Sequence, residues 1–181
     1  MKKTELKLAE SAMMVALAIV FELISKMIPF LQMPQGGSIS IALLPLVILS
    51  LRNGLKYGLL GGMTFGIVNF LIDGYAFHWG SFVFDYGLAF ILVGTSAFLR
   101  KPALKGNVFA YIGALVIAVF FKYLMSSLSG VLFFGEYAGE MNPWFYSFIF
   151  YNLPYNAASL GALLVIGLLI YHRLILFLNK E

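Results

Sequence analysis

VFAYIGALVIAVFFKYL, running from Val108 to Leu124, carries a single charge, Lys122. A run this apolar, joined by another from Ile39 to Leu51, exceeds what one small core could hide from water. The solvent for most side chains must therefore be lipid. The whole chain agrees: 61% of its residues are hydrophobic and 11% charged, against about 25% charged in ordinary soluble domains. Mean hydropathy is +0.93. At about 20 residues per span, 181 residues supply about six membrane helices and leave no room for a soluble catalytic domain beside them.

Working outward from that stretch, the apolar segments predict an all-α membrane protein, a single integral domain over 1–181. Its six transmembrane helices lie at roughly 9–29, 39–51, 55–72, 82–99, 108–129 and 145–171. The second is short and contains Pro45, which predicts a tilted or irregular helix; the last is long enough to tilt or project. No small-residue cleavage site follows the first apolar run, so it reads as a span and not as a removable signal peptide. The chain has no cysteine, which excludes a disulfide frame, a thiolate nucleophile and a cysteine metal site.

Lys2, Lys3, Lys7, Arg52, Lys56, Arg100, Lys101, Lys105, Arg173 and Lys180 fall at the termini or in the second-to-third and fourth-to-fifth connections. An even number of spans puts all of these on one side, which the positive-inside rule makes cytoplasmic, with both termini inside. The net charge of +4 thus follows the membrane and is no nucleic-acid patch. Asp73, Glu136 and Glu140 mark the opposite side, where Trp79, Trp144, Tyr75, Tyr137 and Tyr146 suit a headgroup belt. Gly54, Gly58, Gly62 and Gly66 keep a spacing of four that permits close helix packing, as do Ala12 and Ala16 on the first helix.

A charge at membrane depth costs at least about 2.5 kcal/mol and is kept with a partner or a function. Glu22 and Lys26, four apart, read as a structural ion pair with Lys26 snorkelling outward. Asp85 and Lys122 are the functional candidates, with a buried interhelical salt bridge as the structural alternative. Their company favours function: Tyr75, Trp79, Tyr86, Ser126, Phe134, Tyr146, Tyr151, Asn152 and Tyr155 are all expected at the same outer depth. Aromatic faces attract organic cations, a carboxylate pairs with an amino-bearing heterocycle, and an asparagine reads an edge as donor and acceptor. Such a pocket fits a small, flat, cationic or amino-heterocyclic ligand. Phosphate-loop, H-E-x-x-H and G-x-S-x-G signatures are absent from the sequence. His78 and His172 are predicted on opposite sides and cannot share a metal. Uphill transport would need a coupled ion or a separate ATPase.

The segment Met33-Pro34-Gln35-Gly36-Gly37-Ser38-Ile39-Ser40, then Pro45, then Leu51-Arg52-Asn53-Gly54, resembles the ThiT/YuaJ family. These are thiamine-specific substrate-binding (S) components of bacterial energy-coupling factor (ECF) transporters. The resemblance extends over essentially the whole chain, including Asp85-Tyr86, Phe121-Lys122-Tyr123, Tyr146-Ser147 and Tyr151-Asn152. It implies a six-helix protein of the bacterial plasma membrane that binds thiamine near the outer face, capped by the loop between the first two helices. It also implies partners: a transmembrane coupling subunit, against which the alanine motif Ala12 and Ala16 packs, and two cytoplasmic ATPases that alone use ATP. No cofactor or metal is expected in this chain. Carried over by position, Asp85 engages the aminopyrimidine, Lys122, Tyr146 and Asn152 support that ring, and Tyr86 lies beside it. Where some members place a histidine and a tryptophan around the thiazolium, this chain has Ser126 and Phe134, and its acidic residue is the shorter Asp85. The alternatives on sequence are an S component for another vitamin, an ion-coupled carrier of a small organic cation, or a purely structural membrane protein.

Overall fold

The computed structural model describes residues 3–34, 37–73 and 78–178. Lys2, Gln35, Gly36, Tyr75 and Lys180, all invoked above, lie outside the described residues, as do the side chains of Lys3 and Asp73. Among the described residues six helices carry the chain: α1 Lys3–Met27, α2 Leu43–Asn53, α3 Leu55–Asp73, α4 Trp79–Leu104, α5 Val108–Phe133 and α6 Pro143–Leu178. All but α2 are long and apolar enough to cross a membrane. Large side chains such as Met13, Phe98, Phe109 and Leu169 stand exposed on the outside of the bundle, as expected where lipid is the solvent.

The second helix departs from expectation in an instructive way. It is regular, because Pro45 sits in its first turn, where a missing N–H has no intrahelical partner to lose. At 11 residues it is about 16 Å long, too short to span the hydrocarbon layer. Every residue of it except Arg52 is buried, so α2 is a central post wrapped by the other helices. The remaining depth is covered by non-helical backbone, which a membrane interior tolerates only where other groups satisfy it. Ser40 N–H donates to Ser159 Oγ at 3.1 Å, and Ala42 N–H to Ser40 Oγ at 3.1 Å.

The irregularity expected in the second helix appears in α4 and α6 instead. Residues Phe82–Leu88 of α4 and Tyr146–Asn152 of α6 are wound as π-helix, and Leu92–Leu99 as 3₁₀-helix. In α6 a local cause is visible, since Pro154 cannot donate to the preceding turn and leaves carbonyls that widened winding accommodates. In α4 the cause is packing. A Cβ on Gly62 would lie 2.1 Å from the Phe90 carbonyl oxygen, and one on Gly66 2.0 Å from that of Tyr86. The glycines of α3 therefore let the α4 backbone approach where its winding changes. Gly54 does not belong to that row. At φ +87° it caps α2 and turns the chain into α3.

On α1 the buried positions Ser11, Val15, Ala18, Glu22 and Ser25 alternate steps of four and three, the period of one helix face. Ala12 and Ala16 fall beside that face and are exposed, together with Met13, Leu17 and Val20. Their small side chains are not spent on packing within this bundle.

Candidate ligand-binding site

Both π-helical turns face a cavity of about 190 Å³ near the end of the bundle where α1 passes into α2. π-turns leave backbone and side chains re-aimed relative to a regular helix, and they recur at functional sites. From α4 come Asp85 and Tyr86; from α6 come Tyr146, Ser147, Tyr151, Asn152 and Tyr155. Lys122, Ser126 and Gly130 of α5 line the same space at successive turns, and Phe134 follows at the end of that helix.

Asp85 is fixed by α5. Its Oδ2 accepts from Ser129 Oγ at 2.5 Å, and Ser126 and the Lys122 ammonium face the same carboxyl. Lys122 Nζ also lies 5.0 Å from the centre of the Tyr155 ring, a cation–π distance. Tyr155 Oη donates to Asn152 Oδ1 at 2.8 Å, while Asn152 Nδ2 donates to the Ser147 carbonyl at 3.0 Å and to Ser147 Oγ at 3.2 Å. The hydrogen-bonded chain orients the asparagine amide without the ligand. Aromatic rings continue the wall: Tyr146 stacks on Tyr151 with centroids 6.0 Å apart, and Tyr151 meets Tyr155 edge-on at 6.2 Å.

A hairpin lid closes over the cavity. Gln32 and Ser38 pair as an antiparallel bridge, Met33 N–H donates to the Gly37 carbonyl at 3.0 Å, and Ile39 N–H donates to that of Leu31 at 2.8 Å. Gly37, at φ +86°, lies against the Tyr155 ring, and a Cβ there would come within 3.2 Å of it. Only glycine meets both demands.

Of the residues singled out from sequence, Asp85, Tyr86, Lys122, Ser126, Phe134, Tyr146, Tyr151 and Asn152 line this one cavity. Trp79 does not. It is 76% exposed, directed outward beside His78, whose ring stacks on Phe133 at 5.0 Å. His78 is itself exposed, and the tryptophan keeps the headgroup-belt position. Lys26 is also corrected. Far from snorkelling outward, it lines the cavity, donates to Asn69 Oδ1 at 2.7 Å and stands 3.7 Å from Glu22 Oε1. Sequence reasoning passed over Asn69, an uncharged polar residue at membrane depth on α3. Glu22 lines the cavity too, and its place on the buried period of α1 was the available signal.

Residues 8–178 match the family described as Thiamine transporter protein (Thia_YuaJ). The chain belongs to that family. It is 36% identical over 167 residues to the Thiamine transporter ThiT of Bacillus subtilis strain 168, covering 87% of this chain and 85% of that protein. The Thiamine transporter ThiT of Lacticaseibacillus paracasei is 29% identical over 155 residues, covering 77% of this chain and 76% of the other. A solved structure of ThiT from Listeria monocytogenes superposes with a TM-score of 0.78 at 26% identity, covering 96% of this chain and 95% of that one. Membership in the Thia_YuaJ family, together with helices long enough to cross a bilayer, makes this a multi-pass membrane transport protein.

Proposed function

We propose that this chain is the thiamine-binding S component of an ECF-type uptake system. The observation that carries this reading is the aromatic-walled cavity holding the Asp85 carboxylate beneath a hairpin lid, in a chain whose relatives are named thiamine transporters. Thiamine joins a permanently cationic thiazolium to a polar aminopyrimidine. Asp85, buttressed by Ser129 and Ser126, hydrogen-bonds the aminopyrimidine as a charge-assisted acceptor. Asn152, its amide N–H groups held by Ser147, offers the remaining lone pair of Oδ1 to the ring's amino group, and Lys122, Tyr146 and Tyr86 complete the surroundings. Phe134 and Tyr151 offer π faces to the thiazolium, with Ser126 in place of a stacking side chain. Tyr137, whose ring centre lies 6.1 Å from that of Phe134, extends that aromatic wall.

The ligand enters from outside and is released inward through work done by a partner. Both termini are cytoplasmic in this reading, and the exposed Ala12 and Ala16 groove on α1 receives the transmembrane coupling subunit, which the two ATPases drive. Titration calorimetry of the detergent-purified chain with thiamine tests the ligand. Saturable binding that riboflavin does not reproduce is expected; no heat with thiamine would end the reading. Replacing Ala12 and Ala16 by leucine together should leave thiamine binding intact and abolish uptake in cells carrying the coupling module. Persistent uptake would remove the docking role.

A further inference from the structure

The cavity has a second polar pole that the ligand contacts above leave unused. Glu22 and Lys26 of α1, Asn69 of α3 and Ser38 of the lid all line it. Glu22 Oε1 accepts from Ser38 Oγ at 3.0 Å and stands 3.7 Å from Lys26 Nζ, which donates to Asn69 Oδ1 at 2.7 Å. Glu22 is 7% exposed and Asn69 4%. Were the pair only a tie between helices, apolar side chains of the same volume would serve as well, without desolvating two charges. Here the charges border an open space. They present it with one strong acceptor and one strong donor at no net charge. A carboxylate beside the donor repels an anionic group, whereas a neutral hydroxyl satisfies both at once, donating to Glu22 and accepting from Lys26.

We propose that Glu22, Lys26 and Asn69 form a second subsite that reads a terminal hydroxyl on the ligand. The inference rests on the thiamine reading, in which that hydroxyl ends the hydroxyethyl arm of the thiazolium, remote from the aminopyrimidine at Asp85. Glu22 and Lys26 contact the hydroxyl, and Asn69 is a positioning residue that holds the ammonium in place. A site built around a substrate hydroxyl discriminates against the analogue lacking it: Glu22 and Lys26 keep Ser38 and Asn69 as partners, and each loses one charge-assisted hydrogen bond.

The test measures calorimetric affinities of the full chain for thiamine and for the analogue whose hydroxyethyl arm is replaced by ethyl. The unaltered protein should prefer thiamine by about tenfold or more. Replacing both charges together, Glu22→Leu with Lys26→Met, leaves neither stranded and should bring the preference below twofold. Lys26→Gln is the milder companion and should lower it at least threefold. Equal affinities in the unaltered protein would overturn the proposal, and that comparison needs no variant to fold. So would a preference that survives in the variants, since a purely structural role weakens both ligands alike. Failure of thiamine itself to bind the unaltered protein would instead remove the thiamine reading, which the first titration reports on its own.

Discussion

The two ends of this bundle use the same chemistry to opposite effect. At the basic end Arg52 closes the structure: it meets Glu10 at 3.1 and 3.4 Å and donates to the carbonyls of Phe177 at 2.7 Å and Leu178 at 3.0 Å. Its guanidinium also lies 5.0 Å from the Phe177 ring, and its own carbonyl accepts from Arg100 at 3.1 Å. The Arg52 side chain thus joins α1, α2 and α6, and the Arg100 side chain ties α4 to the same residue. At the lid end the charged groups Glu22, Lys26, Asp85 and Lys122 surround a space instead of filling it. The difference lies less in residue type than in helix winding. The cavity lies where α4 and α6 change to π-helix, and both π-turns contribute to its wall. Closure at one end and an open polar cavity at the other should therefore be separable by mutation.

The largest effect should come from Arg52→Ala. It strands Glu10 and removes two bonds to the end of α6, with side chains only 13% and 17% exposed. A loss of about 3 kcal/mol of stability is expected, read as a lower unfolding temperature in detergent. Thiamine affinity of the folded fraction should stay within twofold; a parallel fall would show the ends to be coupled. Asp85→Ala is the mirror image. The protein should still fold, while thiamine binding weakens at least tenfold, about 1.4 kcal/mol. Calorimetry on both variants makes the crossed comparison, and unchanged affinity in Asp85→Ala would remove that residue from the site.

That crossed pattern also marks what the sequence could and could not convey. Apolar run length is a local property, so the long helices were legible, and the cost of charge at membrane depth singled out Asp85 and Lys122. The direction of a side chain is not local. Lys26 turns inward because Asn69, 43 positions away, receives it; nothing in the α1 pattern says so. Likewise Trp79 and Tyr146 read alike as outer aromatics, yet one points outward and the other lines the cavity. Tyr146 belongs to the π-turn of α6 that lines the cavity, whereas Trp79 precedes the π-turn of α4. The short second helix was misjudged for a related reason. Pro45 signals irregularity in a helix interior, but it lies in a first turn, and the extended backbone before that turn is held by Ser159, 119 positions from Ser40.

A smaller effect should follow from trimming the hydroxyl of Tyr155, which sharpens the account of the lid end. Tyr155→Phe keeps the ring against Gly37 and under Lys122 while removing the bond to Asn152. Asn152 retains both contacts to Ser147, so its amide loosens without being released. About 1 kcal/mol of stability should be lost, with a three- to fivefold weaker thiamine affinity. A change in stability with none in affinity would mean that Asn152 needs only Ser147 to hold its orientation.

The smallest effect is expected at Trp79, where the contrast between belt and pocket is sharpest. Its ring is 76% exposed and its neighbour is the His78 ring, 5.4 Å away between centroids. Trp79→Ala should change thiamine affinity by less than twofold, because no cavity wall is lost. Trp144, 55% exposed and stacked on Phe148 at 5.7 Å, stands outside the cavity in the same way. Ligand binding should therefore alter tryptophan emission only weakly in the unaltered protein, and calorimetry is the better probe. Strong quenching by thiamine that disappears in Trp79→Ala would show that the first turn of α4 swings inward on binding. The open winding of Phe82–Leu88 just beyond it would then be a hinge as well as a wall.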